Sequence, residues 1–326
     1  MKANIIFPTL FIIFVLLGNS SMAQKPEYVF DQKDKIQLLK FSEDGKMLIA
    51  ETSYDFLIYD TKTGQIKGKL ETPGFFANSA IFSKDGKLLI TGNNDGKVRV
   101  FDTSTLFLLK TLPVTKWSIF NLAISENSEI LAADAADGTI ELWDIRTESK
   151  IQTLGEKGQR MEFINFSPDD NFLAAASLDN KLDLFDIKTG KKIFSVRRST
   201  QSPLIFCRQG KELAVTGYET IDFLSAKNGE AVSSVKIPKE TVPFTPRPSG
   251  MGGFYLGQVI VSEDCQKAAI ANWKTQTITL IDVKTQKVEK IFDGSGETSH
   301  VMAFSPDGEF IAGGSANGKV KLWRTK

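Results

Sequence analysis

One histidine, His300, and two cysteines, Cys207 and Cys265, are the chain's whole supply of the side chains that most acid–base, thiol and zinc chemistry uses. A serine triad would need His300, a Ser and a carboxylate to converge. No His-Glu-x-x-His motif and no Cys/His cluster occurs, so a zinc site is not expected. Gly92-Asn93-Asn94-Asp95-Gly96-Lys97 is too short for a phosphate loop, and Val98 stands where that loop needs Ser or Thr. Gly250-Met251-Gly252-Gly253 lacks the strand–helix setting of a dinucleotide site. Asp44, Asp85, Asp169 and Asp307 are abundant carboxylates, but each falls where a turn demands one. No catalytic residue, metal or cofactor is therefore expected, and His300 is expected in a loop on a rim.

The elements around these residues recur. An apolar residue, a Ser and a turn appear as Phe41-Ser42-Glu43-Asp44-Gly45, Phe82-Ser83-Lys84-Asp85-Gly86, Ile124-Ser125-Glu126-Asn127-Ser128 and Phe166-Ser167-Pro168-Asp169-Asp170. Weaker copies begin at Phe206 and Val261, and the last is Phe304-Ser305-Pro306-Asp307-Gly308. The intervals are 41, 42, 42, 40, 55 and 43 residues, so one interval carries an insertion. Within each unit the first turn leads to an apolar strand with small residues, such as Phe172-Leu173-Ala174-Ala175. A second turn follows, such as Asn94-Asp95-Gly96 or Ala136-Asp137-Gly138, whose Asp-Gly pairs suit a tight hairpin. Then come an alternating strand ending in Asp, a Thr-Gly type turn and an outer strand, as in Thr189-Gly190-Lys191-Lys192-Ile193-Phe194.

Seven units of four antiparallel strands describe an all-β, seven-bladed β-propeller. The seventh unit ends at Trp323-Arg324, after its third strand, while Pro26-Glu27-Tyr28-Val29-Phe30 precedes the first unit as a lone strand. That N-terminal strand is expected to complete the seventh blade and remove an open edge.

These motifs resemble the WD-repeat family across residues 25–326. The nearest matches are Phe304 to Gly308 and Asp137-Gly138-Thr139-Ile140-Glu141-Leu142-Trp143-Asp144, while Ile270 to Phe292 looks more like the related YVTN propeller repeats. The family's Gly-His pair is absent throughout, so its Asp–His–Ser–Trp relay cannot form, and Asp95, Asp137 and Asp179 are read as turn formers. The resemblance implies binding through the turns of the Asn94-Asp95-Gly96 type and the connections between units, which share one face, here the top. The alternative is a propeller enzyme, lactonase or quinoprotein-like, with Asn93, Asp95, Asp137, Asp179 and Asn180 converging on the axial mouth. A third is a purely structural subunit of an envelope assembly.

Residues 1–23 read as a signal peptide. Lys2 precedes an apolar run from Ile5 to Leu17, too short to span a bilayer, and Ser21-Met22-Ala23 has the small-x-small form of a cleavage site. The propeller then occupies 24–326 in an extracytoplasmic (periplasmic or secreted) setting, without a transmembrane span. Lys plus Arg is 40 and Asp plus Glu is 39, and loss of Lys2 leaves the two in balance, so no nucleic-acid partner is implied. Cys207 and Cys265 fall at non-matching positions of equivalent turns in neighbouring units. Such turns are expected to lie beyond the ~7 Å Cα limit for a disulfide, so no bond between them is anticipated.

The expected function is to hold a protein or peptide, or another ligand, on the top face. The aromatic residues there are Tyr54, Phe75, Phe76, Trp117, Tyr218 and Trp273, joined by Arg160, Arg197 and Arg198. Aromatic and Arg residues dominate binding hot spots. The insertion, residues 238–257, holds Pro238, Pro243, Pro246 and Pro248, then four glycines, and carries Phe244, Arg247, Phe254 and Tyr255. It cannot continue a sheet and is expected to fold over the axial mouth.

Overall fold

The computed structural model describes residues 23–32, 34–52, 55–71, 76–198, 203–217, 219–237, 259–272, 274–294 and 299–326. The leader, Tyr54, Phe75, Tyr218, Trp273 and the insertion with Phe244, Arg247, Phe254 and Tyr255 lie outside them.

The described strands form seven four-stranded antiparallel sheets, each made of strands consecutive in sequence except the last. The inner strands are Leu38–Phe41, Ala77–Phe82, Leu122–Ile124, Met161–Phe166, Ile205–Cys207, Val259–Val261 and Ser299–Phe304. In the seventh blade Tyr28–Asp31 pairs antiparallel with Lys319–Arg324, in the register Tyr28 with Leu322 and Asp31 with Lys319. The closing strand thus starts two residues later than the sequence suggests. The preceding stretch is held differently, with Gln24 N–H donating to Ile291 O and Asp293 N–H donating to Gln24 O, both at 2.8 Å. The N-terminus therefore ties blade six to blade seven before completing the latter.

Seven apolar clusters fill the molecule, one at each interface between neighbouring blades. This accounts for strands apolar on both faces, since each blade is covered on both sides. Local polar groups close the turns. Ser83 Oγ donates to Asp85 Oδ1 at 2.6 Å and accepts Leu88 N–H at 2.9 Å, while Lys87 N–H donates to the same carboxylate. Ser42–Asp44, Ser167–Asp169, Ser262–Asp264 and Ser305–Asp307 repeat the bond. At the end of the third strand Asp186 Oδ1 accepts both the N–H and the hydroxyl of Thr189, each at 2.7 Å. These carboxylates are consumed by the turns they form. Trp143 and Trp323 end third strands and are buried. Trp323 Nε1 donates to Asp293 O, whereas Trp143 Nε1 finds no partner among the described residues.

Two expectations are corrected. Cys207 and Cys265 form a disulfide, with Cα atoms 5.8 Å apart. The offset between their positions is what brings them together. Cys207 occupies the motif Ser site of blade five, and Cys265 the fourth, Gly site of the turn in blade six. The same pair of sites meets between blades four and five, where a Cβ on Gly210 would lie 4.0 Å from Ser167 Cβ. At these two junctions the turn's fourth residue reaches back to the Ser site of the preceding blade. His300 is not in a rim loop but in the inner strand of blade seven, at a register shift between Ser299 and Val301. Asn78 and Glu162 occupy the corresponding irregular positions in blades two and four.

Candidate functional site

The top face of blades two to four is described without a break. Asn94 in the top turn of blade two donates its N–H to Phe76 O and accepts Phe76 N–H through Oδ1, at 2.8 and 3.1 Å. Its own carbonyl accepts Ser118 Oγ, and Ile119 N–H donates to Asn93 O. These bonds lash the link carrying Trp117 to the turn of the preceding blade. Gly96 is essential there, because a Cβ would fall 2.2 Å from Thr115 O, at a φ of +75° that favours glycine.

The next step is carried by a buried acid. Asp134, closing the second strand of blade three, accepts Phe120 N–H at 2.7 Å, Asn121 N–H at 2.8 Å and Asn121 Nδ2 at 2.8 Å. Burial raises its carboxyl above the ordinary range despite those bonds. The bonds fix the backbone that presents Phe120. The Arg160 guanidinium lies over the Phe120 ring, 5.4 Å from its centroid. Arg160 O in turn accepts Leu178 N–H, and Arg198 N–H donates to Asn180 O in the same turn.

The outcome is a strip in which Phe76, Trp117, Phe120 and Leu178 are 57, 55, 40 and 50% exposed, bordered by exposed Arg160, Arg197 and Arg198. Of the residues singled out from sequence, Phe76, Trp117 and Arg160 are brought into it, and Arg197 and Arg198 stand at its end. Phe120, Leu178 and Asp134 were not foreseen. Phe120 lies five residues before the motif Ser125, in the link just ahead of an inner strand and outside any turn signature, while Leu178 sits within a turn that reads as polar.

The axial residues named for an enzyme do not converge as free groups. Asn93 is buried, with Nδ2 donating to Thr91 O and Lys97 O. Both oxygens of Asp95 meet Arg99, whose hydrogen bonds hold its carboxyl below the usual range. Asp137 accepts the N–H and hydroxyl of Thr139, and Asp179 accepts the Ser177 hydroxyl. Among the described residues no three His, Cys, Asp or Glu side chains gather as a metal cluster.

One buried acid has no such role. Glu51 ends the second strand of blade one, is 7% exposed, and burial lifts its carboxyl to about 8. A group raised in the folded state favours folding only while protonated. The protein is therefore expected to lose stability as pH climbs from about 4.5 to about 8, with no further change from this group above that. Glu51→Gln should flatten that slope, gaining up to about 5 kcal/mol relative to the parent between pH 4 and pH 9. Urea melts at the two pH values measure it, and equal differences at both would refute it.

A second apolar surface lies on the circumference, where Phe107, Leu108 and Leu109 of blade two's outer edge are exposed in succession. It is separate from the top strip.

The WD40 family model (WD domain, G-beta repeat) matches residues 65–102, 107–144, 149–186 and 286–324. Each match runs from one outer strand through the next blade's third strand, so the unit it recognises straddles two blades. Among solved structures, a chain of the crystal structure of a mitotic checkpoint complex is similar at 19% identity and a TM-score of 0.75, covering 93% of this chain and 92% of that one. At that identity the likeness is one of fold.

Proposed function

The chain is a WD-repeat propeller, and on that footing we propose that it is an exported scaffold that holds a protein partner on the top of blades two to four. Propellers of this family typically bind proteins and are usually not enzymes, and the structural neighbour comes from a protein complex. The observation that carries the reading is the strip itself. Three aromatic rings and a leucine stay exposed although the backbone around them is fixed by hydrogen bonds to Asn94 and Asp134. Rigid exposed aromatics give contact area with little ordering cost on binding. Export is supported by the leader-like start and by the Cys207–Cys265 bond, since disulfides persist in oxidising compartments.

The test is covalent capture of partners by the full-length protein in its source cells, comparing Trp117→Ala/Phe120→Ala with Phe107→Ala. Truncating two hot-spot aromatics should weaken capture at least tenfold, with fold and melting temperature unchanged, whereas Phe107→Ala should leave it intact. Capture lost only in the Phe107 variant would move the docking surface to the circumference. For localisation, the protein should appear in the extracytoplasmic fraction with an oxidised cysteine pair. A cytoplasmic, reduced pool would refute export.

A further inference from the structure

Resting on the reading of the top strip as a docking surface, we infer that its partner is an acidic peptide segment whose carboxylates are received by Arg160 and its neighbours, Arg197 and Arg198, while its apolar side chains lie on Trp117, Phe120 and Leu178.

Arg160, Arg197 and Arg198 are exposed, and among the described residues none forms an ion pair with a carboxylate; Arg198 Nη1 donates to Arg197 O. Three acids of the top turns are already engaged. Asp95 is held by Arg99, Asp137 by Thr139 and Lys157, and Asp179 by Ser177 and Lys181. Asp134 is buried beneath Phe120 and accepts three hydrogen bonds, reaching Arg160 only as a nearby charge. Glu156 is the exposed acid in the link that also carries Lys157 and Arg160, so the link keeps a net positive charge.

Geometry then singles out Arg160. Asp134 fixes the backbone at Phe120, the Phe120 ring carries the guanidinium, and the Leu178 N–H bond anchors the Arg160 backbone. An arginine stacked on a ring keeps its N–H edge free for a two-point bond to a carboxylate, and being held there reduces the entropy lost on binding. Asp134 and Phe120 are thus positioning residues for Arg160.

A single-stranded nucleic acid also stacks on aromatics beside arginines. Two observations favour the peptide. Leu178 is an aliphatic contact that offers no stacking face, and the balance of 40 basic and 39 acidic residues gives no general attraction for a polyanion.

The test uses fluorescence anisotropy on the full-length oxidised protein, with labelled peptides alternating Glu–Phe, Ser–Phe and Lys–Phe, and with oligo-dT. Glu–Phe is expected to bind at least tenfold more tightly than Ser–Phe, and Lys–Phe not at all. Arg160→Ala should remove most of that preference, and Arg160→Lys should restore only part of it, because Lys keeps the charge without the planar fork. Asp134→Asn should lower Glu–Phe affinity and reduce its selectivity over Ser–Phe; a purely structural effect would weaken both equally. If Ser–Phe binds as tightly as Glu–Phe and loses affinity on Trp117→Ala, the strip is a docking surface but the acidic preference is wrong. If oligo-dT binds more tightly than Glu–Phe, the inference is overturned in favour of nucleic acid. If no probe responds to Trp117→Ala, both this inference and the docking reading fall.

Discussion

Removal of residues 24–32 is expected to lower the melting temperature by about 8 °C and to turn the protein into an aggregating species. The expectation follows from what the segment covers. Phe30 is buried and stacks on Tyr59 of blade one, with ring centroids 4.3 Å apart. Tyr28 OH donates to Lys62 O, and Gln32 Nε2 donates to the Tyr59 hydroxyl. The strand also pairs along Lys319–Leu322, whose Val320 and Leu322 belong to the cluster between blades seven and one. Burial of one large apolar side chain contributes about 1.5–3 kcal/mol, so loss of the segment costs on the order of 5 kcal/mol. It also bares the edge of Lys319–Arg324, a template for pairing with other chains. A point variant isolates the closure from the length of the chain. Gly318 has a φ of +88°, and a Cβ there would fall 1.8 Å from Gln32 O, against the segment's own backbone. Gly318→Ala should therefore destabilise by about 1–3 kcal/mol, through backbone strain at the positive φ together with the clash against the closing segment. Circular dichroism melts and size-exclusion chromatography measure both. A shortened protein that melts at the parent temperature as a monomer would show that the ring is held by other means.

The fold was legible because the signals that carry it are local and repeated. Asp-Gly turns at a period near 42, with strands apolar on both faces, leave a propeller as the arrangement that satisfies each unit in the same way. Closure was legible from the mismatch at the two chain ends. The candidate site was legible in part. Phe76, Trp117 and Arg160 stood out because large aromatic and Arg side chains in links between sheets are unusual. Phe120 and Leu178 did not, because their exposure depends on how one blade's link crosses the next blade's turn. The disulfide was misread for the same reason. Spacing within the repeat placed Cys207 and Cys265 correctly, but the meeting of one turn's fourth residue with the preceding blade's Ser site is a contact between blades that spacing within one unit does not report.

Reduction of the Cys207–Cys265 bond is expected to destabilise the protein by about 4 kcal/mol, the chain-entropy value for a loop of this length. The cysteines are 58 residues apart, and the loop they close contains the insertion at 238–257. Interfaces between other neighbouring blades are bridged by shorter connections, so this junction has the most chain freedom to lose on folding. The local cost of having cysteines at these sites can be separated from the cross-link. Cys265 has a φ of 56° at the turn position filled by Gly45, Gly86 and Gly308 in other blades, and Cys207 stands where those blades carry Ser. Cys207→Ser/Cys265→Gly therefore removes the bond while restoring the ordinary turn residues. The glycine at positive φ should recover about 1 kcal/mol, so the double variant is expected to be destabilised by about 3 kcal/mol, less than the reduced parent. Urea unfolding with and without dithiothreitol gives both values. An unchanged midpoint on reduction would mean that the apolar cluster between blades five and six holds the junction unaided. A double variant weaker than the reduced parent would mean that the Ser and Gly of the other turns do not transfer to this one.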